Sequence, residues 1–318
     1  DPRMRGASAR DHNLTYAGSR RKPIRIQGTI VAPRVPPCIF QTGFQQTISS
    51  SNRCRWARTL TQKTRLDRTP MSKHKTPSGL PPDPKLNHML ASLPAKDYER
   101  LLPELELVDM PLDWTMSESG DHVNYLHFPT SGIVSLIYSL EDGSSSETAL
   151  VGCEGLVGIS IFMGGESMPT STEVQSPGHA YRLSRKVMKR EFALGGQLQH
   201  VALLFTQALI AQTSQTAVCN QHHSLDQKMC RWLLMTLDRS DSNIFTVTQE
   251  TIGKLLGVRR ESVTQILGLF QKDQLIERAR GRITVLDRGK LEKRVCECYA
   301  VVQDEYERLL SGKRGSKK

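Results

Sequence analysis

The chain has 318 residues, enough for two domains with their own cores, and no apolar run approaches the ~18 residues that a membrane span needs. Its net charge of +11 is concentrated at one end: residues 1–70 hold 14 Lys and Arg against 3 Asp and Glu, whereas residues 71–318 hold 29 of each. The seven cysteines are odd in number and lack paired spacing, which argues against a disulfide scaffold and for a reducing cytoplasm.

Residues 1–83 are rich in Arg, Pro, Ser and Thr without sustained periodicity, a composition that predicts a disordered basic extension. The segment lacks the apolar stretch of a signal peptide; a transit peptide and a basic arm on nucleic acid share its composition. A simpler expectation is that the chain begins at Met71 and that 1–70 translates sequence upstream of the true start.

Leu90, Leu93, Leu101 and Leu102 predict a short amphipathic helix over 86–102. Six short strands are expected next, at 105–110, 123–128, 132–140, 146–151, 172–175 and 179–183. Turn clusters such as Glu141-Asp142-Gly143 and Ser176-Pro177-Gly178 separate them. Many short strands with polar turns suggest a sandwich or barrel. The glycines from Gly152 to Gly158 read as turns, because their spacing is not that of the dinucleotide fingerprint.

A long helix is predicted over 196–217. Leu198, Val201, Phe205, Leu209 and Gln212 step by three and four along it, a stripe suited to packing on its own copy or on the strands. Gln221–Ser224 reads as a hinge, with Ser224 capping a further helix that runs to Asp238.

Two short helices follow. Ile252, Leu255 and Leu256 form the apolar face of the first, and Val263, Ile266, Leu267 and Phe270 that of the second. Gly257 lies between them, as a tight helix-turn-helix requires. Residues 277–280 and 283–286 then flank Gly281-Arg282 as a small hairpin. Helix, turn, helix, hairpin is the order of a winged helix. Thr248 is placed to cap the first helix and offer its end to a phosphate. Arg259, Arg260, Glu261, Thr264 and Gln265 start the second helix and line its outer face, where side chains can reach base edges in a major groove. Arg280 and Arg282 put positive charge on the hairpin, where it can meet phosphate. A last helix is expected over 291–310, with a frayed tail over 311–318. Charge is split to match: residues 85–184 sum to −10 and 246–294 to +5, as suits a sensor joined to a DNA reader.

The skeleton IG..LG.....V..IL..F....LI, from Ile252 to Ile276, resembles the winged helix of the Crp/Fnr transcription regulators. The likeness extends over about residues 86–306, and Tyr125–Ile137 is the most similar stretch of the strand region. It implies an α+β chain: a double-stranded β-helix (jelly roll) sensor domain over 84–195, a dimerisation helix and hinge over 196–223, and a winged helix-turn-helix over 224–310. It implies a cytoplasmic homodimer on a pseudo-palindromic double-stranded DNA operator, with RNA polymerase a possible further partner and the effector unassigned. The family's Arg-Glu pair corresponds to Arg260-Glu261, while its next recognition Arg is Gln265 here. A ligand pocket is expected at Gly152, Glu154, Ser171 and Thr172, without the Arg that grips a cyclic phosphate in nucleotide-binding members.

No cofactor or metal is expected. Cys38 and Cys54 are too few for an N-terminal iron–sulfur cluster, and Cys219, His222, His223 and Cys230 lack a second CxxC-like pair. Cys296-Glu297-Cys298 has the thiols of a redox pair, but two thiols at this spacing on a helix diverge. No nucleophile elbow, P-loop or HExxH occurs, so no enzyme is expected. Two alternatives stand beside the regulator: a ligand-independent one with the jelly roll as scaffold, and a cupin-like metal enzyme using His122, His127 and His179.

Overall fold

The computed structural model describes residues 81–310; the expectations for the basic extension, for Met71 and for the C-terminal tail lie outside them. The expected first helix is two, α1 (His88–Ala91) and α2 (Ala95–Leu101). Pro94 separates them, since its ring forces the preceding residue out of helical geometry. Buried Asn87 fixes the entry: its amide donates to the carbonyls of Pro129 and Gly155, and its oxygen accepts from the Met89 and Leu90 N–H groups.

Seven antiparallel strands follow. β1 (Glu106–Met110), β3 (Tyr125–Pro129) and β7 (Gly178–Ser184) form one sheet in the order β1-β7-β3. β2 (Thr115–Ser117), β4 (Ile133–Ser139), β5 (Ser145–Val151) and β6 (Ser171–Ser176) form the other in the order β2-β6-β4-β5. The six expected strands are present, and three-residue β2 is added. Side chains such as Leu126, Phe128, Ile133, Leu150 and Leu183 from both sheets are buried in one core. Two short helices, α3 (Ser160–Met163) and α4 (Arg185–Ala193), complete the jelly roll.

α5 (Gln197–His222) runs five residues beyond its expected end. It lies against β5, and Gly155 permits the approach. A Cβ there would sit 2.1 Å from the Phe205 ring. Buried Gln212 accepts from the Leu150 N–H at 3.3 Å and donates to the Leu150 carbonyl at 3.1 Å. Leu150 lies on the edge strand of its sheet, so the side chain takes the place of a neighbouring strand. The Gln212 amide also donates to the Tyr306 hydroxyl at 2.9 Å.

The C-terminal domain begins with α6 (Leu225–Asp238), whose start is a capping box between Ser224 and Gln227. β8 (Ile244–Thr246), α7 (Gln249–Leu256), α8 (Arg260–Lys272), β9 (Ile276–Ala279) and β10 (Arg282–Val285) make the winged helix. Gly257 ends α7 with φ +64, and the Val258 N–H returns to the Gly253 carbonyl at 2.9 Å, a left-handed cap that turns the chain into α8. The wing turn is Arg280-Gly281, one residue earlier than expected, because Arg282 already pairs with both Ala279 and Thr246. The expected last helix is split into α9 (Arg288–Arg294) and α10 (Cys298–Leu310). Val295 is extended, with φ −69 and ψ 153, and the break turns Cys296 inward.

The two domains share one apolar cluster. A buried ion pair crosses it. Arg239, at the end of α6, donates through Nε to the Glu154 carboxylate at 2.7 Å, with both side chains almost fully enclosed. Replacing one member of such a pair strands the other charge in the core. Arg239→Met is therefore expected to cost about 3–5 kcal/mol in denaturant unfolding. Adding Glu154→Leu should restore part of that loss; equal costs for the single and double variants would show that the two charges are not coupled.

Candidate functional site

The start of α8 presents its polar residues as one outward face. Arg259, Arg260, Glu261, Thr264 and Gln265 are exposed, while Val263, Leu267 and Phe270 on the opposite side are buried. Positions 260 and 264, and 261 and 265, lie one turn apart and so share a face. Thr264 donates to Gln249 at 2.6 Å, which ties the reading face to the start of α7. Thr248 caps α7 by accepting from the Thr251 N–H at 3.0 Å. Arg280 and Arg282 are exposed on the wing. None of Arg259, Arg260, Arg280 and Arg282 takes part in an ion pair among the described residues, whereas Arg288 and Arg294 behind them pair with Asp238, Asp226 and Asp273. The outer arginines are thus free to meet an external anion, and the inner ones hold the domain together.

This surface is folded toward the jelly roll. α7 packs on β5, and a Cβ built on Gly257 would lie 3.6 Å from the Ser145 carbonyl. Thr248, Thr251 and Gly281 line a cleft whose other wall is Ser135, Ile137, Glu173 and Gln175 of the four-stranded sheet. The N-terminal end of α7 and the wing turn therefore look onto β-sheet in this conformation.

The four residues expected to line a ligand pocket are not brought together. Glu154 is committed to Arg239 and to the Gly152 N–H, which keeps Gly152 and Glu154 at the domain junction. Ser171 is buried on β6. Thr172 alone of the four lines a jelly-roll cavity of about 240 Å³, with Met116, Ser117, His122, Tyr125, His127, Val157 and Gly158 among its neighbours there. Ser117 and Thr172 hydroxyls share a hydrogen bond of 2.8 Å. Burial holds the His127 pKa down to about 4, so its ring is neutral at pH 7. No Lys or Arg lines the cavity. The nearby cations Arg185 and Lys189 are taken up by Glu166. The three strand-region histidines have separate surroundings: His122 faces Glu166, His179 faces Asp109, and His127 packs on Trp114.

The stripe expected to form a dimer seam is the inner face of α5. Leu198, Phe205, Leu209 and Gln212 are buried against the chain's own domains, and Val201 is half-buried there. Sequence spacing finds an apolar stripe but not its direction, because the opposite face is apolar too. Leu203, Ile210 and Val218 remain 46%, 59% and 49% exposed.

Residues 115–193 match the cyclic nucleotide-binding domain family, and residues 227–294 match the Crp-like helix-turn-helix domain family. The chain has the domain pair of the Crp/Fnr transcription regulators. No protein of curated function matches it by sequence. Solved structures of the Crp/Fnr type share its fold. A protein assigned to the Crp/Fnr regulators from Eubacterium rectale is 18% identical, with a TM-score of 0.54, over 66% of this chain and 98% of that one. A CRP-family regulator from Thermus thermophilus is 21% identical with a TM-score of 0.51, over 59% of this chain and 95% of that one. The c-di-GMP-responsive global regulator CLP from Xanthomonas campestris is 16% identical with a TM-score of 0.50, over 61% of this chain and all of that one. At these identities the likeness establishes fold, and the Crp/Fnr assignment rests on the two domain matches. No described helix is long and apolar enough to cross a membrane.

The joint between these domains carries a titratable group that sequence reading did not single out. Glu147 on β5 borders a small cavity with Gln212, Thr216, Lys228, Arg231 and Leu255, contributed by α5, α6 and α7. Its side chain is half-buried, and the cavity it borders holds about 20 Å³. Burial raises its pKa to about 8, although Ser135 donates to it at 2.7 Å. A raised folded-state value means that the folded protein holds the proton more tightly than the unfolded chain. The resulting stability is present below the ordinary value of 4.5 and is lost as pH rises through about 8. Glu147→Gln should flatten the fall in melting temperature across that window, and parallel pH profiles for variant and parent would count against the assignment.

Proposed function

We propose that this chain is a homodimeric, sequence-specific DNA-binding regulator, with α8 reading the major groove and the wing holding phosphate. The observation that carries this reading is the set of exposed, acid-free arginines at the start of α8 and on the wing, set on a helix-turn-helix of the Crp type. Arg260 suits guanine, Glu261 suits cytosine N4, and Gln265 suits adenine. Thr248, Arg259 and Thr264 border that face, and Arg280 and Arg282 bind backbone.

The dimer forms through the outer face of α5. His200, Leu203, Gln207, Ile210, Ser214, Ala217 and Gln221 repeat at alternating steps of three and four, the spacing of a two-stranded seam, and all are exposed in the single chain. Two copies on a two-fold axis would read half-sites about 34–36 Å apart. The cleft between wing and sheet supports a regulated reader: seating the N-terminus of α7 on a phosphate would require α7 and the wing turn to leave the jelly roll. The cavity lined by His127 and Thr172 is the candidate sensor pocket. Its lack of lining cations favours an uncharged or weakly polar signal over an anionic nucleotide such as the one to which CLP responds. Regulation without any ligand is the second reading, supported by the extent to which sensor and reader already share a core.

Selection of binding sites from a randomised palindromic library tests the reader. Arg260→Ala should cost roughly 1–3 kcal/mol and relax one base position in each half-site, while Arg280→Ala should weaken all sequences alike and reduce the salt slope. An unchanged sequence preference for Arg260→Ala would remove α8 from the role. Sedimentation tests the dimer. Leu203→Glu with Ile210→Glu should halve the mass without loss of helix content and should weaken operator binding; a dimer that persists would place the seam elsewhere.

A further inference from the structure

The far end of α5 gathers three cysteines and a histidine that the sequence keeps far apart. Cys219 and His223 stand one turn apart at the C-terminus of α5, so both face the same way. Cys296 and Cys298 arrive from the break between α9 and α10. The expectation that these two thiols diverge assumed a continuous helix. Cys296 precedes α10 instead, and the bend brings both sulfurs to one point. One donor atom from each of the four residues lies within 4.8 Å of all the others. The Cys219 and Cys296 sulfurs are 3.7 Å apart, and the Cys298 sulfur is 3.3 Å from His223 Nδ1.

We propose that Cys219, His223, Cys296 and Cys298 form a tetrahedral zinc site that pins the hinge between α5 and the DNA-binding domain. Zinc–sulfur bonds of about 2.3 Å and zinc–nitrogen bonds of about 2.0–2.1 Å in a tetrahedron set donor edges of about 3.8 Å for S···S and about 3.6 Å for S···N. Two of the six edges, at 3.7 and 3.3 Å, stand close to these values, and all six lie within 4.8 Å. Three sulfurs and one imidazole nitrogen is a common structural zinc set. The surroundings complete it. Glu297 lies 3.4 Å from His223 Nε2, an arrangement in which the carboxylate accepts the Nε2 proton and leaves Nδ1 free to bind metal. Gln215 donates to the Cys298 sulfur at 3.1 Å. The three cysteines are buried and His223 is half-buried, which shields the set while leaving a path for the ion.

The chemistry is coordination without electron transfer. Three thiols lose their protons to solvent, zinc keeps its oxidation state, and four bonds form to one ion. Ser224, which caps α6, directly follows His223. A filled site would therefore lock the last turn of α5 to the α9–α10 bend. Cys230 is also buried, but it lies outside the four-residue set and provides a control.

The test uses the full chain, reduced and stripped of metal by a chelator, and titrated with Co(II) alone and then with Zn(II). One Co(II) per chain is expected, with thiolate-to-cobalt charge-transfer absorption and the strong ligand-field bands of a tetrahedral site, both abolished by stoichiometric zinc. Cys296→Ser and Cys298→Ser should weaken cobalt binding at least tenfold, and Cys230→Ser should leave it unchanged. Zinc should raise the melting temperature of the parent but not of Cys298→Ser. Reduced parent protein that takes up no cobalt overturns the proposal, as does cobalt binding that survives Cys296→Ser and is lost in Cys230→Ser. Because the readouts are spectra and melting curves, the result is independent of whether the DNA-binding reading holds.

Discussion

A guanidinium and a carboxylate, both withdrawn from water, hold this molecule's two halves in one body. Arg239 closes α6 and Glu154 closes the turn after β5, so their 2.7 Å contact joins the strand domain to the helical one. Neither charge is tolerable in the core without the other. The partners around them follow from that demand: Glu154 also accepts from the Gly152 N–H, Arg239 donates to the Met235 carbonyl, and the Tyr306 ring lies against the guanidinium. Through Tyr306 and Gln212 the same network reaches α5 and the edge of β5. Sensor, helix and reader are therefore coupled by polar groups that must remain paired together.

That coupling shapes what a signal can do. The cavity beside His127 lies in the jelly roll, while the exposed polar face from Arg259 to Gln265 lies on α8. Between them stand β5, α5 and α6, sharing a continuous apolar cluster. Packed cores switch between arrangements more readily than they stretch. A ligand that shifts β5 would reposition α5 and α6 as units. The docked surface between α7 and β5, with a cleft rather than close packing on one side, is the weaker seam and the one from which movement can start.

Much of this is legible in the residues, and the gaps have physical causes. The winged helix declares itself because Ile252 to Phe270 carries two apolar faces of helical period with Gly257 between them, and both features are local. Six strands can be placed within a few residues, because polar turns bracket apolar runs. β2 and β8 escape because three residues cannot display a period. The direction of α5 is not readable, since the outer face also carries Leu203, Ile210 and Val218 beside the stripe from Leu198 to Gln212; the close fit of Phe205 against Gly155 goes with the side that turns inward. Glu154 reads as part of a ligand pocket through the resemblance alone, since its partner, Arg239, stands 85 residues away and leaves no local signal. The cysteine cluster is invisible for the same reason: Cys219 and Cys296 stand 77 residues apart, and Cys296 and Cys298 read as diverging only on a helix that is in fact broken at Val295.

The way Gln212 serves β5 has a consequence for solubility. An edge strand presents unpaired amide and carbonyl groups that can recruit a strand from another molecule. Here the exposed rung at Leu150 is stoppered by a side chain from a helix, and the helix covers what lies beside it. If α5 were to swing clear by itself, it would uncover a sticky β-edge. The geometry thus favours motions in which strand and helix travel together, so that this edge stays covered.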